Sequence, residues 1–160
     1  MKILFLDIDG VLNSRAYDRK RNLDEQTNID ETRLPLLKEI IDATDAKIVL
    51  SSTWRQHWDK DSNRCGVGGR YINRIFAKFG LAIYDKTPNL GIGALRRDEI
   101  QKWLDDIDQD IESFVIIDDY RYGWGELSNR FVKTDPNFSF GLENEQVERA
   151  IKILDRRADA

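Results

Sequence analysis

Two carboxylates, Asp7 and Asp9, stand two residues apart in the string Asp7-Ile8-Asp9-Gly10-Val11-Leu12, directly after an apolar run at 2–6. A second acidic pair, Asp118-Asp119, follows the apolar run at 113–117. Carboxylates gathered in one place can attack as nucleophiles, exchange protons or hold a hard cation. The plainer alternative is a helix N-cap with a surface acid at the first pair and a strand-ending turn at the second. Burying one unpaired carboxylate is expensive, and two together are worse. Acids set just past a buried strand therefore call for a purpose. A turn at Gly10 would leave both Asp7 and Asp9 at the strand's end. Ser51 and Ser52 close a third apolar run, 47–50, in the same way.

These residues need elements that bring them together. The runs at 2–6, 47–50 and 113–117 are short, apolar and bounded by polar residues, as buried strands of a parallel sheet are. The stretches 81–84 and 130–133 are weaker strand candidates. Between them, Leu36, Leu37, Ile40 and Ile41 recur at helical spacing, with Pro35 tolerated in the first turn. Tyr71, Ile72, Ile75, Phe76 and Phe79 form a second stripe, which Gly80 ends. Leu95, Ile100, Trp103 and Leu104 give a third, and Val147, Ala150, Ile151 and Leu154 a fourth. The alternation predicts an α/β fold, a central and mostly parallel sheet with helices on both faces and the strand ends on one edge. The polar stretches 13–30 and 56–70 are predicted as long loops beside that edge, where such proteins keep their function.

Composition narrows the classes. A chain of 160 residues makes one domain and can bury a sizeable core without staples. Acidic residues outnumber basic ones 29 to 25, a net charge of −4, which excludes a strongly basic nucleic-acid binder but not a local basic patch. One cysteine, Cys65, excludes an internal disulfide framework and a cysteine-based zinc cluster. One histidine, His57, excludes a histidine-rich metal site. The apolar runs are too short to span a bilayer, and Asp7 and Asp9 interrupt the N-terminal one too early for a signal peptide. A cytoplasmic protein that needs no membrane is expected, with a monomer plausible and the oligomeric state open.

DIDGVL resembles the first motif of the haloacid dehalogenase-like (HAD) phosphohydrolases. That family's other motifs follow in order. Ser51 of IVLS matches the Ser or Thr after the second strand, Arg96-Arg97 the basic residue at a helix, and the Asp118-Asp119 of FVIIDD the second acidic pair. SSTWR at 51–55, KTP at 86–88, EIQKWL at 99–104 and TDP at 134–136 are similar to the small HAD domain found fused in bacterial RNA-repair proteins. The resemblance implies a Rossmann-like HAD domain over 1–160, with 14–30 and 56–70 as flaps too short to make a full cap.

It also implies a phosphomonoesterase. Asp7 would be the nucleophile and form an aspartyl-phosphate. Asp9 would protonate the leaving oxygen and later deprotonate water, so it must begin protonated. Ser51, or its neighbour Ser52, would bind a phosphoryl oxygen, and Arg96 or Arg97 would clamp the group; both arginines lie within helical reach of Ile100. Carboxylates crowded without histidine suit Mg²⁺, with Asp7 and one or both of Asp118 and Asp119 giving side-chain oxygens and Asp9 a backbone carbonyl. Asn13 and Arg55 are candidates to touch substrate. Trp54, Trp58 and Trp124 would either pack or stack on a base. The substrate would be a nucleotide, a nucleic-acid end or another phosphomonoester, and Arg19-Lys20-Arg21 leans towards a polyanion. A phosphate-binding interaction module and a phosphotransferase are the alternatives.

Overall fold

The structure, a computed structural model, describes residues 1–20, 28–121 and 123–157. Five parallel strands, β1 (Lys2–Leu6), β2 (Lys47–Leu50), β3 (Ile83–Lys86), β4 (Ser113–Asp118) and β5 (Phe131–Lys133), form one sheet in the order β3-β2-β1-β4-β5. The helices are α1 (Arg15–Lys20), α2 (Leu34–Thr44), α3 (Val67–Ala77), α4 (Arg96–Asp106) and α5 (Asn144–Leu154). The expected α/β architecture, with helices on both sheet faces, is thus observed.

Strand alternation sorts the core into two layers. Leu4 and Leu6 of β1 join Ile48, Leu50, Val115 and Ile117 against the apolar stripes of α2, α3 and α5. Ile3 and Phe5 point the other way, with Val49, Phe114 and Ile116, onto Ile100 and Trp103 of α4. Phe5 meets Trp103 edge-on at 5.4 Å and Phe114 at 6.0 Å. No helix among the described residues is long and apolar enough to cross a membrane.

The central position of β1 decides where the site can form. The chain runs outward from β1 in both directions, so connections diverge there and leave a crevice at the carboxyl ends of the strands. Asp7 extends β1 by one residue, with its N–H on the Ile117 carbonyl at 3.0 Å, and Ser51 extends β2, with its N–H on the Leu6 carbonyl at 2.8 Å. Thr87 continues β3 through the Leu50 carbonyl at 3.0 Å, and Asp118 pairs with Lys133 of β5. One row past the apolar body of the sheet, all five strands therefore turn polar together: Thr87, Ser51, Asp7, Asp118 and Lys133.

Some boundaries differ from the sequence reading. The strand expected at 81–84 is Ile83–Lys86, because the Leu81 N–H returns to the Phe76 carbonyl at 3.0 Å and closes the preceding helix through Gly80, whose φ is +69°. The stretch 13–30 is not all loop, since α1 begins after Ser14, whose hydroxyl accepts the Tyr17 N–H at 3.1 Å. The loop expected over 56–70 ends early. Gly68 and Gly69 lie in the first turn of α3, and a Cβ at Gly69 would collide with the His57 carbonyl. Leu95 falls out of the helical stripe, exposed just before α4.

Candidate active site

The acidic residues converge as their placement on the strands requires. Carboxylate oxygens of Asp7, Asp118 and Asp119 all lie within 4.8 Å of one another. Asp118, fully buried, accepts the Tyr120 N–H at 2.8 Å on one oxygen. Its other oxygen takes Arg96 Nη1 at 2.6 Å, and the same nitrogen stands 3.2 Å from Asp7. Of the two candidate arginines, Arg96 is the one that reaches the acids. It opens α4, and the next residue is turned by about 100° around the helix. Arg97 instead contacts Asp98 at 3.4 Å and borders the cleft above.

The first motif's glycine has a geometric reason. Gly10 sits at φ +84°, where side chains are disfavoured, and a Cβ there would overlap the Asp119 carboxylate. Its carbonyl accepts the buried Thr134 hydroxyl at 2.7 Å, and its N–H donates to Asn13 Oδ1 at 2.8 Å. The TDP string thus holds the turn that lets Asp119 approach Asp7.

Two of the three carboxylates, Asp7 and Asp118, share the Arg96 guanidinium, so among the described residues the cluster holds more acid than the base that pairs with it. Burial, then the nearby Asp118, raises Asp7 from 3.8 to about 8, and Arg96 only partly offsets this. Burial raises Asp118 as well, against the opposing pull of Arg96. Burial alone would lower Arg96, but Asp7 and Asp118 hold its guanidinium above its ordinary value. The raised proton affinity and the missing positive charge have the same remedy. An all-oxygen set of three carboxylates fits a hard divalent cation such as Mg²⁺.

The neutral residues divide. Ser51 is 1% exposed, and its hydroxyl has no hydrogen-bond partner among the described residues, an orphan donor one strand from Asp7. The Ser52 hydroxyl is used locally and accepts the Trp54 N–H at 3.3 Å to cap the 3₁₀ turn Thr53–His57. Arg55 is not brought to the acids. Its guanidinium is buried against Glu99 of α4 at 2.8 Å and the Ser52 carbonyl at 3.2 Å, which ties the β2 turn to the helix that carries Arg96. Asn13 reaches Asp9 at 2.9 Å. Asp9 is exposed, two residues from the buried Asp7, and its other oxygen accepts the Trp54 ring N–H at 3.1 Å.

A cleft of about 490 Å³ opens over this edge, lined by Asp7, Asp9, Thr53, Arg96, Asp119 and Trp124 among others. Trp58 and Trp124 are packed residues: Trp58 donates to Asn73 at 2.9 Å, and Trp124 stacks on Phe131 at 4.8 Å. His57 is exposed beside a second, smaller cleft that shares Thr53 with the first. Arg19 is exposed, whereas Arg21 and the Lys20 side chain lie outside the described residues. The Trp54–Asp9 bond has no trace in local sequence, since 45 positions separate the partners.

The family model described as the HAD domain in Swiss Army Knife RNA repair proteins matches residues 3–147. No curated protein and no solved structure matches the chain.

Proposed function

Because the chain belongs to the family of HAD domains in Swiss Army Knife RNA repair proteins, we propose that it is a Mg²⁺-dependent phosphomonoesterase working through Asp7. Membership alone suggests a phosphatase-type hydrolase. The observation that carries the finer reading is the row of strand ends, in which Asp7 stands between Ser51 and Asp118 with Arg96 bridging the two acids.

In this reading an Asp7 oxygen attacks phosphorus while the bond to the leaving oxygen breaks and Asp9 gives that oxygen its proton. Water then attacks the aspartyl-phosphate. Asp9 takes the water's proton, and inorganic phosphate leaves with Asp7 restored. The orphan hydroxyl of Ser51 donates to a phosphoryl oxygen. Arg96 meets both acids through Nη1, and its planar fork carries further N–H donors that would bind the phosphoryl group. Asp7, Asp118 and Asp119 would hold the Mg²⁺ with the Asp9 carbonyl, and the ion would supply charge neutralisation between carboxylate and phosphate. Arg97 borders the substrate cleft rather than the reacting atoms.

The chain is read as one domain over 1–160, with 14–30 and 56–70 as flaps rather than a cap, acting in the cytoplasm. A site without a cap admits a nucleotide or a phosphorylated nucleic-acid end, and the family's association with RNA repair favours the latter. The test is phosphate release from nucleoside monophosphates and from 3′- and 5′-phosphorylated oligonucleotides with Mg²⁺. Release is expected from the wild type and not from Asp7→Asn. Equal release by both proteins, or full release in excess chelator, would overturn the reading.

A further inference from the structure

Asp9 is exposed, yet both of its oxygens are held. Asn13 Nδ2 donates to Oδ1 at 2.9 Å, and Trp54 Nε1 donates to Oδ2 at 3.1 Å. An exposed aspartate otherwise samples several rotamers, and two directional N–H donors remove that freedom. The donors come from different segments, the turn after β1 and the turn after β2.

Each donor is itself fixed. Asn13 accepts the Gly10 N–H at 2.8 Å and donates to the Asn28 carbonyl at 2.9 Å. The Trp54 backbone N–H rests on Ser52 Oγ, and its ring leans on Tyr71 with centroids 6.2 Å apart. The Tyr71 hydroxyl in turn accepts the N–H groups of Asn28 and Ile29 at 3.1 and 3.0 Å. The chain of contacts closes on itself, from Asn28 through Tyr71, Trp54, Asp9 and Asn13 back to Asn28. A tryptophan that only filled space would not need its ring nitrogen aimed at an exposed carboxylate. Trp54 also lines the cleft that adjoins the active-site cleft at Thr53.

The geometry points to Trp54 as a positioning residue that, with Asn13, aims the Asp9 carboxyl at the oxygen leaving phosphorus. This rests on the phosphomonoesterase reading and adds to it a residue that never touches the phosphoryl group. Proton delivery matters where the leaving oxygen is a poor leaving group, as in an alkyl ester, and little where it leaves readily as an anion, as p-nitrophenolate does. A residue that only supports the fold would affect both esters alike.

The experiment compares a nucleoside 5′-monophosphate with p-nitrophenyl phosphate, both with Mg²⁺, in the wild type and in Trp54→Phe, which keeps the packed ring and loses the N–H. The expected result is a kcat loss on the alkyl ester about 10-fold or more greater than on the p-nitrophenyl ester, a fraction of the ~10²–10⁴ that a general acid contributes. Asn13→Asp keeps the acceptor for Gly10 and removes the donor to Asp9, and it should show the same split. Equal losses on both esters, or no loss on either, would overturn the proposal while wild-type turnover keeps the phosphatase reading. A wild type inactive on both esters and on the phosphorylated oligonucleotides would overturn both.

Discussion

An arginine stands at each end of the sheet, and the two are used in opposite ways. At the amino end Arg130 is 5% exposed, and its hydrogen-bond partners among the described residues are neutral. It donates to the Ser113 hydroxyl at 3.1 Å and to the carbonyls of Ile153, Arg156 and Arg157 at the end of α5. Burial, with the charge of Arg156, lowers its proton affinity. At the carboxyl end Arg96 faces two carboxylates, and its proton affinity is raised. Among the described residues the buried side-chain polar atoms at the amino end are answered by other groups of the chain. The carboxyl end is left unbalanced, with a surplus of buried acid and an orphan hydroxyl at Ser51. Folding alone disfavours that imbalance, and a bound cation and a phosphoryl group would remove it.

The contrast is tested hardest at Asp7. Replacing it by asparagine keeps the shape and removes a buried ionisable carboxyl. Phosphate release should fall on the order of 10³-fold or more, as nucleophile losses do. The melting temperature in chelator should stay level or rise, because the variant has one fewer carboxylate to bury. A variant that retains substantial turnover would erase the functional half of the comparison.

Truncating the two arginines gives crossed outcomes. Arg130→Ala removes one donor each from the Ser113 hydroxyl and the Ile153, Arg156 and Arg157 carbonyls, although Ile153 and Arg156 keep the Ser113 hydroxyl, and it should cost about 1–3 kcal/mol in denaturant unfolding while the folded fraction keeps its activity. Arg96→Ala should lower kcat/KM about 10²-fold, the scale for losing one preorganised charge donor, with a smaller effect on stability. Arg97→Ala should change kcat/KM no more than a few-fold. Matching profiles for Arg96→Ala and Arg130→Ala would show that the two ends do not differ in kind.

The pH dependence separates the ends without mutation. Asp7 is raised from 3.8 to about 8, so the folded state binds this proton more tightly than the unfolded chain does. Its contribution to stability is complete below pH ~4 and is lost as pH rises towards about 8. A Mg²⁺ bound at these acids would have to displace that proton at low pH and would meet a more ionised carboxylate at high pH. The rise in melting temperature on replacing chelator by saturating Mg²⁺ should therefore be larger near pH 8 than near about pH 5. An equal rise at both values, or none, would sink the cation site.

Much of this was legible because parallel strands announce themselves. The runs ending at Asp7, Ser51 and Asp118 fixed the row of polar strand ends, and the glycine after Asp9 marked the turn. What stayed hidden depends on tertiary contact. Arg96 and Arg97 are equivalent by spacing, and only the angle at which α4 meets the sheet edge separates them. Gly68 and Gly69 look like loop residues, but Gly69 is in a helix that packs on the His57 carbonyl. The six residues of α1 are too polar to show a stripe, and the Ser14 cap is the one local sign of that helix. Arg55 carries the composition of a phosphate ligand, but Glu99, 44 positions away, takes its charge.

The smallest expected effect concerns Ser51, the neutral member of the unbalanced edge. Its hydroxyl is buried without a partner among the described residues, so there it carries desolvation cost with no hydrogen bond to offset it. Ser51→Ala removes that group and should leave stability unchanged or raise it by up to about 1 kcal/mol, the reverse of the usual result for a buried polar residue. The same change should lower kcat/KM about 10-fold by removing one neutral donor to the phosphoryl group. Stability and activity would then move apart at a single atom. A clear loss of stability with unchanged turnover would instead give Ser51 the role that Arg130 has, a group kept for the fold.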